Sequence, residues 1–168
     1  NLKDLIDSVS VNQADLGFAF DGDGDRVGMV DNNSNIVSPD HIIMLLSEYF
    51  LQKKKGPVIY DVKCSNQVSK IIQDNGGSPI IEKTGHFNIK NKIRETNAIL
   101  GAEMSGHIFI NCDWYGFDDG IYSAAILTKI ISELEINLST KISDFPKVFS
   151  TPELTLDVED SQKFEMVD

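Results

Sequence analysis

The apolar residues of this chain fall into short continuous runs and into longer stretches where they recur every three or four positions. The runs are bounded by Gly, Pro, Asn or Asp, which is typical of buried strands. These predicted strands lie at 16–20, 27–30, 57–62, 79–82, 98–102 and 107–110. The helical spacing predicts helices at 1–14, 39–55, 66–74, 89–95 and 119–134. Strands that alternate with helices indicate an α/β domain of three layers, α/β/α.

Two of the predicted helices have recognisable starts. Ser38 is a favourable capping residue before Pro39, and the Asp118-Asp119 pair is predicted to cap the helix at 119–134. In that last helix the spacing predicts a buried face made of Ile121, Ala124, Ala125, Thr128 and Ile131.

Three other stretches bear on the limits of the domains. The polar cluster 31–35 predicts a turn, and we take it as a candidate domain boundary. The stretch 143–146 is predicted to be a linker. Apolar residues that alternate over 154–158 predict the first strand of a further unit.

Composition and charge limit the partners. The chain has 168 residues, of which 41% are hydrophobic and 24% charged, and this is typical of a globular protein. Its formal net charge of -11 disfavours nucleic acid as a partner. No apolar run is long enough for a membrane span, so we expect no membrane association. Two cysteines, Cys64 and Cys112, are too few for a disulfide framework and favour a reducing, cytoplasmic location.

The segment Asp21-Gly22-Asp23-Gly24-Asp25-Arg26 lies between two predicted strands. Three carboxylates at alternate positions repel one another unless a cation lies among them. Oxygen ligands of this kind suit Mg²⁺, and Arg26 offers a planar donor group to a phosphate oxygen. A calcium-binding EF-hand fits poorly, because Arg26 and Asn32 stand where that loop needs Gly and Glu. We therefore predict a magnesium site that faces a phosphoryl group.

Three further loops follow predicted strands, where ligands usually bind in an α/β domain. Lysine and histidine can bind phosphate or hydroxyl oxygens, glycine allows a close approach to the backbone, and a carboxylate can accept from two vicinal hydroxyls. The candidate binding residues are Lys63, Gly85, His86, Glu103, Ser105 and His107. Each loop also has a purely structural interpretation, as an exposed lysine, a helix-capping turn and a hairpin respectively.

Together these motifs resemble the α-D-phosphohexomutase family, in its phosphomannomutase/phosphoglucomutase group. The stretch from Ala19 to Arg26 is similar to the family's metal-binding loop, and Glu103-Met104-Ser105-Gly106-His107 is similar to its sugar-binding loop. Three other segments match in the same order, namely Asp61–Cys64, Lys83–His86 and Tyr115–Gly120. The resemblance covers nearly the whole chain, and its specificity comes from the combination of motifs.

The resemblance implies a mixed sheet and a division of the chain. Residues 1–35 would be the end of the family's domain 2, 36–140 its domain 3, and 141–168 a linker with the first strand of domain 4. In the family the phosphoserine lies in domain 1 and the loop for the distal phosphate in domain 4. The expected partners are therefore a sugar phosphate and those missing domains, and we expect the fragment to be inactive alone.

The resemblance also implies a reaction, the Mg²⁺-dependent interconversion of hexose 1-phosphate and hexose 6-phosphate through a phosphoserine enzyme and a hexose 1,6-bisphosphate. The sugar would be mannose, glucose or both. Asp21, Asp23 and Asp25 would bind Mg²⁺, while the catalytic residues would be Arg26, which stabilises the phosphoryl group, and His107, which assists proton transfer. The substrate would be bound by Lys63, Gly85, His86, Glu103, Ser105 and His107. The chain departs from the family at Ala102 and at Phe87-Asn88, and neither departure removes a ligand.

Two alternatives remain open at this point. An apolar strand followed by Asp-x-Asp also begins the aspartate-nucleophile phosphatases, in which Asp21 would itself be phosphorylated. That interpretation leaves the turn from Glu103 to His107 unexplained. The other alternative is a non-catalytic module that binds sugar phosphates.

Overall fold

A computed structural model describes residues 2–147 of the chain. The strands of this part are β1 Leu16–Phe20, β2 Val27–Asp31, β3 Ile36–Val37, β4 Pro57–Asp61, β5 Ser78–Glu82, β6 Leu100–Ala102 and β7 Ile108–Ile110. Its helices are α1 Lys3–Asn12, α2 Pro39–Lys53, α3 Asn66–Asp74, α4 His86–Thr96, α5 Gly120–Ser132 and α6 Leu138–Asp144. This order confirms the predicted alternation of strands and helices. No helix in the described range is long and apolar enough to cross a membrane.

The first sheet is antiparallel, with the strand order β1-β2-β3. Its first hairpin joins β1 to β2 through the loop 21–26. The predicted turn at 31–35 joins β2 to β3, and Asp31 stabilises it by accepting from the backbone N–H groups of Asn33 and Asn35. The sheet therefore continues past residue 35, and the domain limits given above stay a prediction.

The second sheet is mixed, with the strand order β5-β4-β6-β7. Strands β4, β5 and β6 are parallel, and β7 is antiparallel to β6. Because parallel strands end at the same edge of a sheet, the loops after β4, β5 and β6 lie side by side. These are the three loops that carry the candidate binding residues.

Helices cover both faces of this second sheet. Val58 and Tyr60 of β4 belong to the larger core, which includes residues of α2, α3 and α5. Ile59, between them, points to the opposite face and packs with Ile89 and Ile93 of α4. Successive strand residues face opposite sides, so the sheet lies between two helical layers. The structure confirms the predicted three-layer α/β/α fold.

Three local predictions were wrong. Helix α4 begins at His86, three residues before the predicted start at 89, because Gly85 already occupies the capping position. Helix α6 occupies part of the stretch interpreted as a linker, and Asn137 caps it by accepting from the backbone N–H of Thr140. The predicted strand at 154–158 is not one of these errors, because it lies outside the described residues.

The third error concerns the buried face of α5. The buried residues are Gly120, Ser123, Ala124, Leu127 and Ile130, so of the predicted set only Ala124 is fully buried. Ile121 is 65% exposed, and Ala125 and Thr128 are also exposed. Helix α5 packs on β1, β2 and β7. The buried face is set by these three contacts, and small residues occupy it in the first turns.

Candidate active site

The loop between β1 and β2 brings the three predicted carboxylates together. One oxygen from each of Asp21, Asp23 and Asp25 lies within 4.8 Å of the others. The Oδ1 atom of Asp25 is buried and accepts no hydrogen bond. A buried carboxylate oxygen without a donor is costly, and a hard cation would satisfy it. The donor set therefore fits Mg²⁺, as the spacing predicted.

Arg26 is held against this carboxylate group. Its Nε donates to Asp21 Oδ2 at 2.6 Å, and its backbone N–H donates to Asp21 Oδ1 at 3.1 Å. Partial burial works to raise the pKa of Asp21, but these hydrogen bonds and the guanidinium charge outweigh it and lower the pKa to about 2. Asp21 is consequently an ionised acceptor at neutral pH.

The metal loop, residues 21–26, is bound directly to the sugar loop, residues 103–107. Arg26 and His107 form an antiparallel β-bridge, and the backbone N–H of Val27 donates to the Gly106 carbonyl at 3.1 Å. Gly106 has φ +97°, and a Cβ there would lie 3.0 Å from the Val27 carbonyl oxygen. Only glycine suits both the conformation and the space. The backbones of the two loops are therefore directly hydrogen-bonded to each other.

His107 connects the two loops through its ring. Its Nε2 lies 3.4 Å from Asp25 Oδ2 in the metal loop. Its Nδ1 lies 3.0 Å from Glu103 Oε2 and 3.0 Å from Ser105 Oγ. The ring has acceptors beside both nitrogens, so it can hold a proton at either side. This position suits the proton transfer expected of it.

Glu103 of the sugar loop is almost completely buried. It is 2% exposed, and its Oε1 accepts from the backbone N–H of Gly85 at 2.5 Å. The residue therefore joins the sugar loop to the loop after β5, in addition to any contact with a sugar hydroxyl. Gly85 has φ +126°, which explains why glycine is needed before His86.

His86, the first residue of α4, also lies in this group. Its ring centroid is 5.7 Å from that of His107, and its Nδ1 is 3.5 Å from Asp118 Oδ2. The other oxygen of Asp118 accepts from Lys90 Nζ at 3.0 Å. Lys63 lies exposed in the turn after β4, at the same edge of the sheet. The structure thus places all the predicted candidates at one edge or in the adjoining metal loop.

Asp118 is a residue whose position sequence reasoning missed. The helix-capping prediction is confirmed for Asp119, whose side chain accepts from the backbone N–H of Tyr122. Asp118 instead forms a β-bridge with Phe109 and faces the site, where one ligand atom each of Asp25, His107 and Asp118 lies within 4.8 Å. No local pattern distinguishes the two neighbouring aspartates.

The thiol of Cys64 is partly buried beside the carboxylate of Asp61. Burial raises the pKa of its thiol, and the neighbouring Asp61 carboxylate raises it further. The thiol therefore stays protonated and is a poor nucleophile.

Comparison with known proteins identifies the family of this chain. Residues 38–149 match the model for the phosphoglucomutase/phosphomannomutase alpha/beta/alpha domain III, and residues 1–34 match the model for domain II. The chain belongs to the phosphoglucomutase/phosphomannomutase family. This confirms the resemblance carried by the motifs.

Individual relatives agree with this assignment. The chain is 48% identical over 169 residues to a phosphomannomutase/phosphoglucomutase of Pseudomonas putida, and the match covers 100% of this chain and 36% of the relative. A solved family member from Burkholderia thailandensis has a TM-score of 0.86 at 44% identity, over 90% of this chain and 33% of its own. The chain therefore spans about a third of the length of the relatives it matches.

A more distant structure shares the fold. The N-acetylphosphoglucosamine mutase of Aspergillus fumigatus, solved in complex with GlcNAc-6P and magnesium, has a TM-score of 0.62 at 14% identity. The match covers 84% of this chain and 36% of the mutase.

Proposed function

We propose that this chain supplies the metal loop and the sugar loop of a Mg²⁺-dependent phosphohexomutase. The enzyme would interconvert hexose 1-phosphate and hexose 6-phosphate, of mannose, glucose or both, through a hexose 1,6-bisphosphate. The serine that carries the phosphoryl group and the loop for the distal phosphate would come from the other domains of the same enzyme. The free Cys64 and Cys112 thiols support a reducing, cytoplasmic location.

The observation that carries this proposal is the direct joining of the two loops. The β-bridge between Arg26 and His107 and the hydrogen bond from Val27 to Gly106 place the carboxylate group beside the sugar loop. Phosphoryl transfer depends mainly on positioning and on charge stabilisation, so the two binding groups must be fixed relative to each other. A backbone bridge between the loops provides that rigidity.

The roles of the residues follow from their positions. Asp21, Asp23 and Asp25 would hold Mg²⁺, which would neutralise charge on the phosphoryl oxygens. Arg26 would donate to the same phosphoryl group, and His107 would accept or return the proton of the reacting sugar hydroxyl. The hydroxyls and phosphate of the sugar would be bound by Lys63, His86, Glu103, Ser105 and the Gly85 backbone.

The contacts of Asp21 speak against an aspartate-nucleophile phosphatase. Both oxygens of this carboxylate accept hydrogen bonds from Arg26. These hydrogen bonds and the guanidinium charge lower the pKa of Asp21 to about 2, and a carboxylate of such low basicity is a weak nucleophile. The joined sugar loop would also have no role in such an enzyme.

The test is ³¹P NMR of the complete enzyme with glucose 1-phosphate and mannose 1-phosphate. We expect Mg²⁺-dependent conversion to the 6-phosphates. Asp23→Asn should lower the rate by about 100-fold, because the loss of about 3 kcal/mol of metal-based stabilisation corresponds to that factor. The matched control is Asp74→Asn, an exposed aspartate of α3, which should leave the rate unchanged.

Two results would overturn the proposal. One is release of inorganic phosphate without formation of a 6-phosphate. The other is a beryllium fluoride adduct on Asp21, which would identify that residue as the nucleophile.

A further inference from the structure

Asp61, the last residue of the central strand β4, contacts all three loops that carry the proposed sugar-binding residues. It is 0% exposed. Its Oδ2 accepts from Thr84 Oγ1 at 3.0 Å, in the loop after β5. Its Oδ1 accepts from Cys64 Sγ at 3.0 Å, in the loop after β4, and from the backbone N–H of Met104 at 3.4 Å, in the loop after β6.

Each of these donors lies next to a proposed binding residue. Cys64 follows Lys63, Thr84 precedes Gly85 and His86, and Met104 lies between Glu103 and Ser105. The backbone adds one more tie, because the N–H of Val62 donates to the Glu82 carbonyl at 3.0 Å. A single buried side chain therefore holds the three loops at fixed positions below the site.

A buried carboxylate is costly unless its oxygens accept hydrogen bonds. All three groups that donate to the Asp61 carboxylate, two side chains and one backbone N–H, come from loop residues and none from its own strand. The carboxylate is thus satisfied only when the three loops are correctly placed. Neighbouring Asp40 is also buried and accepts from the backbone N–H of Ser65, which fixes the first loop from its other side.

We propose that Asp61 is a positioning residue that joins the loops 62–65, 83–86 and 103–107 into one preorganised unit. It does not touch the substrate. Its effect on the reaction rests on the proposed function, but its effect on the loops does not. Removing its charge should loosen all three loops together, and it should affect the metal loop only through the bridge between Arg26 and His107.

The test compares Asp61→Asn with Asp31→Asn in the complete protein. Asp31 is a matched control, because it is also a buried aspartate at a strand end, 4% exposed, and binds the backbone of the turn after β2. Hydrogen exchange of backbone amides is measured loop by loop. In Asp61→Asn we expect exchange to rise about 10-fold or more in all three loops, since hydrogen bonds to a charged group are weakened. In Asp31→Asn the rise should be confined to the turn 32–35.

Thr84→Val keeps the proposal testable if Asp61→Asn does not fold. It removes only the donor to Asp61 Oδ2, in an exposed position of the loop. Faster exchange in the loops 83–86 and 103–107 supports the proposal. Unchanged exchange in 103–107, or a uniform rise over the whole protein, contradicts it.

Kinetics provide the second measurement. With Asp61→Asn we expect the KM for the sugar phosphate to rise about 10-fold or more, because displaced loops bind the sugar poorly. A merely structural role would lower kcat through a smaller folded fraction and leave KM unchanged, and that result would overturn the kinetic part. If the wild-type enzyme shows no mutase activity, the proposed function fails, while the exchange experiment still decides the role of Asp61.

Discussion

Replacing Gly120 by alanine tests whether close packing of α5 holds the metal loop in place. Gly120 is the first residue of α5, and its backbone N–H donates to the Gly24 carbonyl at 3.1 Å. A Cβ at this position would lie 2.7 Å from the Arg26 carbonyl oxygen and 2.8 Å from that of Gly24. These are backbone atoms of the metal loop, which cannot rotate away as a flexible side chain would.

The expected magnitude follows from these distances. An ordinary contact begins near 3.4 Å, so α5 and the metal loop must separate by roughly 0.7 Å. Overpacking of this kind costs about 1–3 kcal/mol, and the better helix propensity of alanine offsets up to about 1 kcal/mol. We expect a net loss of about 1 kcal/mol, which lowers Tm by about 2–4 °C for a chain of this size. The displaced carboxylates should also bind Mg²⁺ several-fold more weakly.

The assay is thermal unfolding with and without Mg²⁺, with Gly22→Ala as the control. Gly22 lies in the same loop, but a Cβ there would meet nothing within 4 Å. Gly22→Ala should therefore keep the wild-type Tm or raise it slightly. If Gly120→Ala melts at the same temperature as Gly22→Ala and gains the same stability from Mg²⁺, the packing of α5 does not position the loop.

Three other predictions concern charge, thiol reactivity and the core. Asp21→Asn should have a lower Tm than the wild type above pH 4, and this difference should disappear as the pH falls from 4 to 2. The reason is that folding lowers the pKa of Asp21 to about 2, so its ionised carboxylate stabilises the fold at higher pH and is lost as it becomes protonated. Melting curves of both proteins over a series of pH values check this. Burial raises the pKa of Cys64 and, to about 11, that of Cys112, so both should react slowly with iodoacetamide at pH 8 and much faster in urea. Phe109→Ala should lower the free energy of unfolding, measured by urea titration, by about 3–5 kcal/mol, because Phe109 is fully buried in the smaller core. The control is Phe87→Ala, which should change it by less than about 0.5 kcal/mol because Phe87 is 67% exposed.

Local patterns in the sequence predicted the elements of the fold except β3 and α6, and they predicted the carboxylate group of the metal loop. Alternating aspartates and glycines between two apolar runs predict a carboxylate group without any knowledge of distant contacts. The helix α3 has the predicted bounds, because its apolar spacing, its Ser65 cap and the glycines after it all indicate the same segment.

Features that depend on distant parts of the chain could not be predicted in this way. The bridge between Arg26 and His107 joins two different sheets, and no local pattern specifies it. The buried face of α5 follows from its packing on β1, β2 and β7, so a single helical stripe predicted the wrong residues. Asp61 looks like an ordinary strand end in the sequence, and only the assembled sheet shows that it contacts three loops.

The central claim, that the metal loop and the sugar loop form one site, can be tested directly through the three histidines of the chain. Mn²⁺ in place of Mg²⁺ broadens the NMR signals of nearby imidazoles. His107 Nε2 lies 3.4 Å from Asp25, and the His86 ring lies 5.7 Å from that of His107. His41 is the internal control, because it lines a cavity beside Asp31, at the opposite end of β2 from the metal loop. We predict strong broadening of the His107 signals, weaker broadening of those of His86 and the least broadening of those of His41. Equal broadening of all three imidazoles, or no broadening of any, would contradict a shared site.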